Sequence, residues 1–266
     1  MAGRPSLGRP YSQVIPAFHY TLGLGSEDWR QQIALARAAG FRAVDVDLRG
    51  ADSLEPSEML DVLGGLIAAS GRLPAYPGQP LDRRVPRFCR ELGLRTLTCS
   101  VPPALTEPRD LVPEYREWAS LLADSGLNLA IESLTPHHLR MAQTHPYVQS
   151  FGEYCDFVAG VGANAGFLLD TWHWHHGGYP SPRGLRVLHV HLADAEAIPA
   201  EQVRDDERQF PGEGVINLVG LLSELPDYTG FVAAEVFGQK SRFPDGLTRA
   251  RFAREQVESI LKQARV

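Results

Sequence analysis

The sequence predicts a single (β/α)8 barrel, in which short β-type runs alternate with helical segments from one end of the chain to the other. Three observations lead there. The runs are apolar enough to be buried on both faces, as strands of a parallel sheet are. Eight of them fit within about 250 residues, the usual size of such a barrel. No GxGxxG opens a helix after a strand, as a dinucleotide-binding doubly wound sheet requires: "GLGSED" lacks its third glycine and "GVGANAG" precedes a strand.

In chain order the expected strands are Val14–His19, Ala43–Leu48, a short Leu73–Tyr76, Arg95–Val101, Leu127–Ser133, Phe167–Asp170, Val187–Leu192 and Phe231–Val236. The clearest helices are "SEDWRQQIALARAAG" and "EYREWASLLADSG", which carry acids in the first turn and stop at glycine. The last helix is "GLTRARFAREQVESILKQARV". The short Gly- and Pro-bearing stretch between Asp170 and Val187 leaves room for a sixth helix that is reduced or absent. No linker or low-complexity segment interrupts the pattern, so one domain is expected over 1–266, with 1–12 an irregular N-terminal segment.

Composition narrows the function. The 266 residues are 44% hydrophobic, enough for a substantial core. A net charge of −6 argues against a nucleic-acid partner, whose phosphates need a basic face. No apolar run is long enough to span a membrane, and the N-terminus lacks the apolar segment of a signal peptide. Three widely spaced cysteines, Cys89, Cys99 and Cys155, offer no CxxC motif and fit a reduced, cytoplasmic protein. The only lysines are Lys240 and Lys262, which leaves little for Schiff-base chemistry.

In a parallel barrel the active site lies at the C-terminal ends of the strands. There the fifth strand ends at Glu132, the sixth at Asp170 and the eighth at Glu235, while the seventh carries His191 near its end. Period-two alternation puts His189 on the same face as His191 but deeper. Any one of these acids alone reads as a helix N-cap. Three converging on one mouth repel unless a cation or protons neutralise them. A mixed oxygen–nitrogen set without thiolate suits one divalent ion, Mn2+ or Mg2+ first, with Co2+ or Zn2+ admissible. His173 begins the loop over this site and reads as a residue touching substrate or orienting a ligand. His175, His176, His137 and His138 read as loop residues, Trp172 and Trp174 as an apolar wall or loop packing. Asp45 and Asp47 face one way on the second strand, as structural or site carboxylates. His19, which ends the first strand, reads as a satisfied core histidine by default, with a residue pointing at substrate as the alternative, and Cys99 as a small filler near the mouth.

These pieces resemble the xylose-isomerase-like TIM-barrel superfamily, which includes sugar isomerases, ketose 3-epimerases, inosose dehydratases and apurinic-site endonucleases. The matching stretches are "GFRAVDVDL", "LAIES", "LLDTWH", "HVHLADAE", "ERQFPGEGVINL" and "AAEVFG", in family order between about residues 40 and 240. The resemblance implies that Glu132, Asp170, His191 and Glu235 bind one divalent ion, that Glu132 and Glu235 also move protons, and that His173 and Arg208 contact substrate. It implies an isomerase or epimerase working through an enediolate on a small ketose or hydroxy-keto acid. A dehydratase of the inosose or dehydroshikimate type on the same ligands is the alternative, and a non-catalytic sugar-binding or regulatory barrel the alternative of another class. Homo-oligomers are left open. The endonucleases need further histidines on the third and fourth strands and an Asp-x-His after the seventh; here "TLTCSVPP" has none and the loop reads Glu207-Arg208-Gln209. The lysine that true xylose isomerases carry near the first metal Glu is missing from "ESLTPHHLR".

Overall fold

The computed structural model describes residues 14–23, 28–48, 55–101, 110–135, 150–199 and 202–264. The expected 1–12 segment, His137 and His138 lie outside them. Eight strands, β1 (Ile15–Phe18), β2 (Ala43–Asp47), β3 (Ile67–Arg72), β4 (Thr96–Ser100), β5 (Asn128–Glu132), β6 (Ala165–Asp170), β7 (Val187–Leu192) and β8 (Phe231–Ala234), pair in sequence order. All pairings are parallel, and β8 returns to β1 to close the barrel. Helices α1 (Trp29–Ala38), α2 (Pro56–Leu63), α3 (Val85–Glu91), α4 (Val112–Ala123), α5 (Phe151–Val161), α6 (Thr171–His176), α7 (Leu218–Ser223) and α8 (Gly246–Ala264) alternate with the strands. The predicted (β/α)8 barrel is the fold.

Local chemistry explains the element ends. Asp28 and Gln31 form a reciprocal capping box at the start of α1. The chains leaving α1 and α4 turn at Gly40 and Gly126, both at positive φ, where a side chain would be strained. The third strand is the one misplaced expectation: it spans Ile67–Arg72, ahead of Leu73–Tyr76. Gly64 and Gly65, at φ 52° and 94°, end α2 and turn the chain straight into Ile67. "IAASGR" hides this strand because small and polar residues blur its alternation, while Pro74 in "LPAY" lacks a ladder donor. The sixth helix is reduced, as expected, to six residues.

Most of the buried apolar residues lie between barrel and helices. Inside the barrel a small layer of Ile15, Ala17, Ala43, Ala69 and Ala233 fills the N-terminal end. Above it the interior turns polar, with Asp45, Ser70, His189 and His191 all buried. That switch from alanine to acid and imidazole sets the floor of the site. Among the described residues no helix is long and apolar enough to cross a membrane.

Candidate active site at the barrel mouth

A cavity of about 340 Å³ opens at the C-terminal ends of the strands. Glu132 closes β5, Asp170 closes β6, His191 is the penultimate residue of β7, and Glu235 follows β8 directly. One potential ligand atom from each of the four lies within 4.8 Å of the others, and all four residues are buried. The strand-end reading therefore brings together the four residues it singled out.

Their contacts differ. Ser100 Oγ donates to Glu132 Oε2 at 2.8 Å, whereas the buried Oε1 of Glu132 has no hydrogen-bond partner among the described residues. His191 turns Nδ1 toward the acids, 3.0 Å from Glu235 Oε2 and 3.9 Å from Glu132 Oε1. Its Nε2 lies 3.8 Å from Asp45 Oδ2. Asp170 does two things at once. Oδ1 accepts from His173 N at 2.9 Å and caps α6, while Oδ2 accepts from Arg208 Nη1 at 2.8 Å. One oxygen of this carboxylate thus caps the helix while the other faces Arg208.

Arg208 is buried over the cluster. Nη1 also donates to Glu235 Oε2 at 3.1 Å, and Nε donates to Asp205 Oδ1 at 2.8 Å. Nη2 lies 2.7 Å from Asp205 Oδ1 and 3.1 Å from His173 Nε2, and Trp172 packs against the guanidinium at 4.9 Å. His173 is helical rather than in a loop. Its Nδ1 stands 2.6 Å from the Thr135 carbonyl, a contact that needs an N–H, so Nε2 is left to accept from Arg208. Both His173 and Arg208 line the cavity, with the arginine's donors turned onto protein groups.

The electrostatics follow from burial and crowding. Burial pushes the Glu132 carboxyl up to about 7, and the charge of Glu235 adds to the rise. Burial likewise raises Asp170, against the pull of Arg208. For Glu235 the same burial is outweighed by His191 and Arg208, which hold it well below the ordinary carboxylate range. Burial opposes charge on His191, yet Glu235 and Glu132 lift it to about 9. Acids and bases here hold one another's charge, in a space that also fits a cation. Three carboxylates, one of them with an orphaned buried oxygen, and one imidazole are a donor set that a hard divalent ion fits.

The second tier was only partly legible. Asp45 accepts from Ser70 Oγ at 2.7 Å and lies 3.2 Å from His189 Nε2. Burial acts to raise Asp45, but the His189 charge and hydrogen bond bring it down to about 2. His19, expected as a core residue, lines the cavity with Nε2 3.7 Å from Glu235 Oε1, and burial lowers it to about 4. Its position at the end of β1 was the available signal. Arg72 and Tyr20 also line the cavity and were not singled out from the sequence. Cys99 does too; burial raises its thiol, which suits a filler rather than a nucleophile. Trp172, Trp174, His175, His176 and Lys240 do not line it. Trp174 donates to the Pro180 carbonyl at 2.7 Å and packs on Phe151 and Tyr179, so the tryptophans pack α6 rather than wall a ligand.

Asp194, which sequence reading passed over, organises the loop that carries Arg208. Its carboxylate accepts from the backbone of Ala195, Gly212 and Ile216, and its own backbone pairs with Gln209. A Cβ at Gly214 would meet the Ala195 carbonyl at 2.2 Å, so the second glycine of "PGEG" is needed for the close approach.

A sequence profile of the xylose isomerase-like TIM barrel family matches residues 83–263. An inosose isomerase of Bacillus velezensis is 25% identical over 193 residues, 66% of this chain and 65% of its own length. A 3-dehydroshikimate dehydratase of Pseudomonas aeruginosa is 27% identical over 208 residues, 70% of this chain and 32% of its own. The chain thus spans less than two thirds of the length of these curated relatives. A xylose isomerase domain protein of Alicyclobacillus acidocaldarius has a TM-score of 0.80 and 30% identity, over 95% of this chain and all of that one. With more than half of its length matched by the profile, and with this barrel, the chain belongs to the xylose isomerase-like TIM-barrel family.

Proposed function

We propose that the protein is a divalent-metal-dependent isomerase or epimerase of a small ketose or hydroxy-keto acid, with Glu132, Asp170, His191 and Glu235 as the ligands of one ion. The observation that carries this reading is the buried Glu132 Oε1, which has no hydrogen-bond partner among the described residues and lies within reach of three other buried donors. An isolated buried carboxylate oxygen is costly, and a cation at this point compensates it. Oxygen-rich donors favour Mn2+ or Mg2+, and Co2+ or Zn2+ also accept the imidazole. When bound, such an ion polarises a carbonyl and stabilises the enediolate charge.

The residues supply the rest. Glu132 and Glu235 approach the cavity from strands three apart in an eight-membered ring, so they can remove and return a proton from different sides of one carbon. A cation on the cluster takes over charge that Arg208 now neutralises, leaving Arg208 and His173 to hold substrate oxygens. Asp45 faces His191 Nε2 and orients the ring so that Nδ1 points at the cluster. The dehydratase of Pseudomonas favours a second reading, in which the same deprotonation is followed by loss of a neighbouring hydroxyl.

The test is elemental analysis of the purified protein beside Glu132→Gln and His191→Ala, followed by deuterium incorporation from D2O into ketoses and hydroxy-keto acids. Near-stoichiometric metal in the wild type, lost in both variants, with exchange at the carbon beside the carbonyl, is the expected result. Wild-type protein that takes up no metal sinks the reading and favours a non-catalytic barrel. Exchange accompanied by water loss assigns the dehydratase.

A further inference from the structure

We propose that Arg72, with Tyr20 beside it, is a carboxylate-recognising subsite, and that the substrate is therefore a hydroxy or keto acid rather than a neutral sugar. The proposal rests on the metal-site reading above and narrows it.

Arg72 is the last residue of β3, and its direction is set by its neighbours. Ser70 faces inward, donating to Asp45. Gly71 faces outward, where an added Cβ would stand 3.0 Å from Leu48 and 3.1 Å from Leu94. By alternation Arg72 returns to the inside, and it lines the mouth with Tyr20, Ser100 and Tyr76. Its Nη1 donates to Tyr20 Oη at 3.0 Å, and it makes no ion pair with a described carboxylate.

That is unusual company for a half-buried guanidinium with five donors. The other arginine of the cavity, Arg208, is committed to Asp170, Glu235, Asp205 and His173. Asp45 is already met by His189 and Ser70. Arg72 is thus the cavity-lining guanidinium, among the described residues, whose charge no protein carboxylate answers by ion pairing. A neutral ligand covering it would leave that charge desolvated and unpaired, which is costly; a carboxylate would pair with it in two parallel hydrogen bonds.

Position supports the same assignment. In the closed ring β3 lies four strands from β7, so Arg72 faces the His191 cluster across the mouth. A small molecule with its carbonyl at the cluster and an acid at its far end spans the two. Asp47, in register with Arg72 on β2, lines the same wall. One guanidinium beside Asp47 balances a single carboxylate better than a phosphate dianion.

Quinate and myo-inositol, two polyhydroxylated six-membered rings of which only quinate carries a carboxylate, test the proposal by calorimetry on wild type, Arg72→Met and Arg72→Lys. Metal content of each sample is measured alongside, and the titrations are repeated after chelation. Wild type is expected to prefer quinate by about tenfold or more, the size of one charge-assisted pair, with Arg72→Met erasing the preference and Arg72→Lys keeping part of it. Equal affinity for the two rings, no binding of either, or a preference that survives Arg72→Met overturns the subsite. So does an equal loss for both ligands, which assigns Arg72 only to the shape of the cavity. Absent metal with an intact Arg72-dependent preference instead counts against the metal-site reading alone.

Discussion

Asp170 shows how one side chain can serve the backbone and the site together, and the two uses can be separated by substitution. Oδ1 caps α6 and Oδ2 meets Arg208. Asparagine keeps a cap acceptor but loses the charge, so Asp170→Asn should fold with a cap change of only a few tenths of a kcal/mol while losing metal uptake. Asp170→Ala should lose the cap as well, at about 1 kcal/mol, and also strip Arg208 of a buried partner. Urea melts beside elemental analysis separate the two variants; equal metal uptake in Asp170→Asn and wild type would falsify its place in the cluster. Asp45 acts one step further out. Asp45→Asn should weaken metal affinity by roughly 10- to 100-fold through the orientation of His191. A chelator-competition titration checks it, and unchanged affinity assigns Asp45 to structure alone.

Among the elements, α8 carries the least foreseeable residue. Arg249 is fully buried and donates to four backbone carbonyls: Thr21 at 2.6 Å, Gly23 at 2.8 Å, Val236 at 2.8 Å and Gly238 at 2.9 Å. Those carbonyls follow β1 and β8, so the arginine clamps the point where the barrel closes, beside His19 and Glu235. Arg249→Met should cost on the order of 3 kcal/mol or more, because it leaves buried acceptors unpaired, and Arg249→Lys should recover only part, since one ammonium cannot reach four carbonyls. Equilibrium urea unfolding reads both. In sequence this residue sits among "LTRARFAR", where nothing separates it from an exposed helix arginine. The same is true of Arg72, since the alternation that points it inward was obscured by the small residues of β3.

For the whole molecule, the acid cluster couples stability to pH and metal. Without metal, the folded state binds protons at Glu132 and His191 more tightly than the unfolded chain does, since both are raised, to about 7 and about 9. Raised groups contribute stability below their unfolded values that is lost as pH climbs through the folded ones. The metal-free protein should therefore lose stability between pH 6 and pH 9. A metal displaces those protons, so its binding strengthens over the same range. Melting curves with chelator and with Mn2+ at both pH values check this: the metal-induced rise in Tm should be larger at pH 9. A rise that shrinks with pH would show that these groups are not the ligands.

The sequence by itself determined the barrel, its strand order and the four strand-end residues that meet at its mouth. Those features are periodic or positional: alternation gives the facing, and a parallel barrel puts every strand's C-terminal end at one rim. It could not determine the start of β3, where a glycine pair rather than hydrophobic pattern sets the register. Nor could it assign the cations, because the charge of an arginine is visible in a sequence and its partners are not. Only the tertiary structure decided that Arg208 answers the acid cluster, that Arg249 locks the closure, and that Arg72 faces the cavity with no ion-paired carboxylate among the described residues, since each outcome depends on chain segments far apart in sequence meeting inside a low-dielectric space.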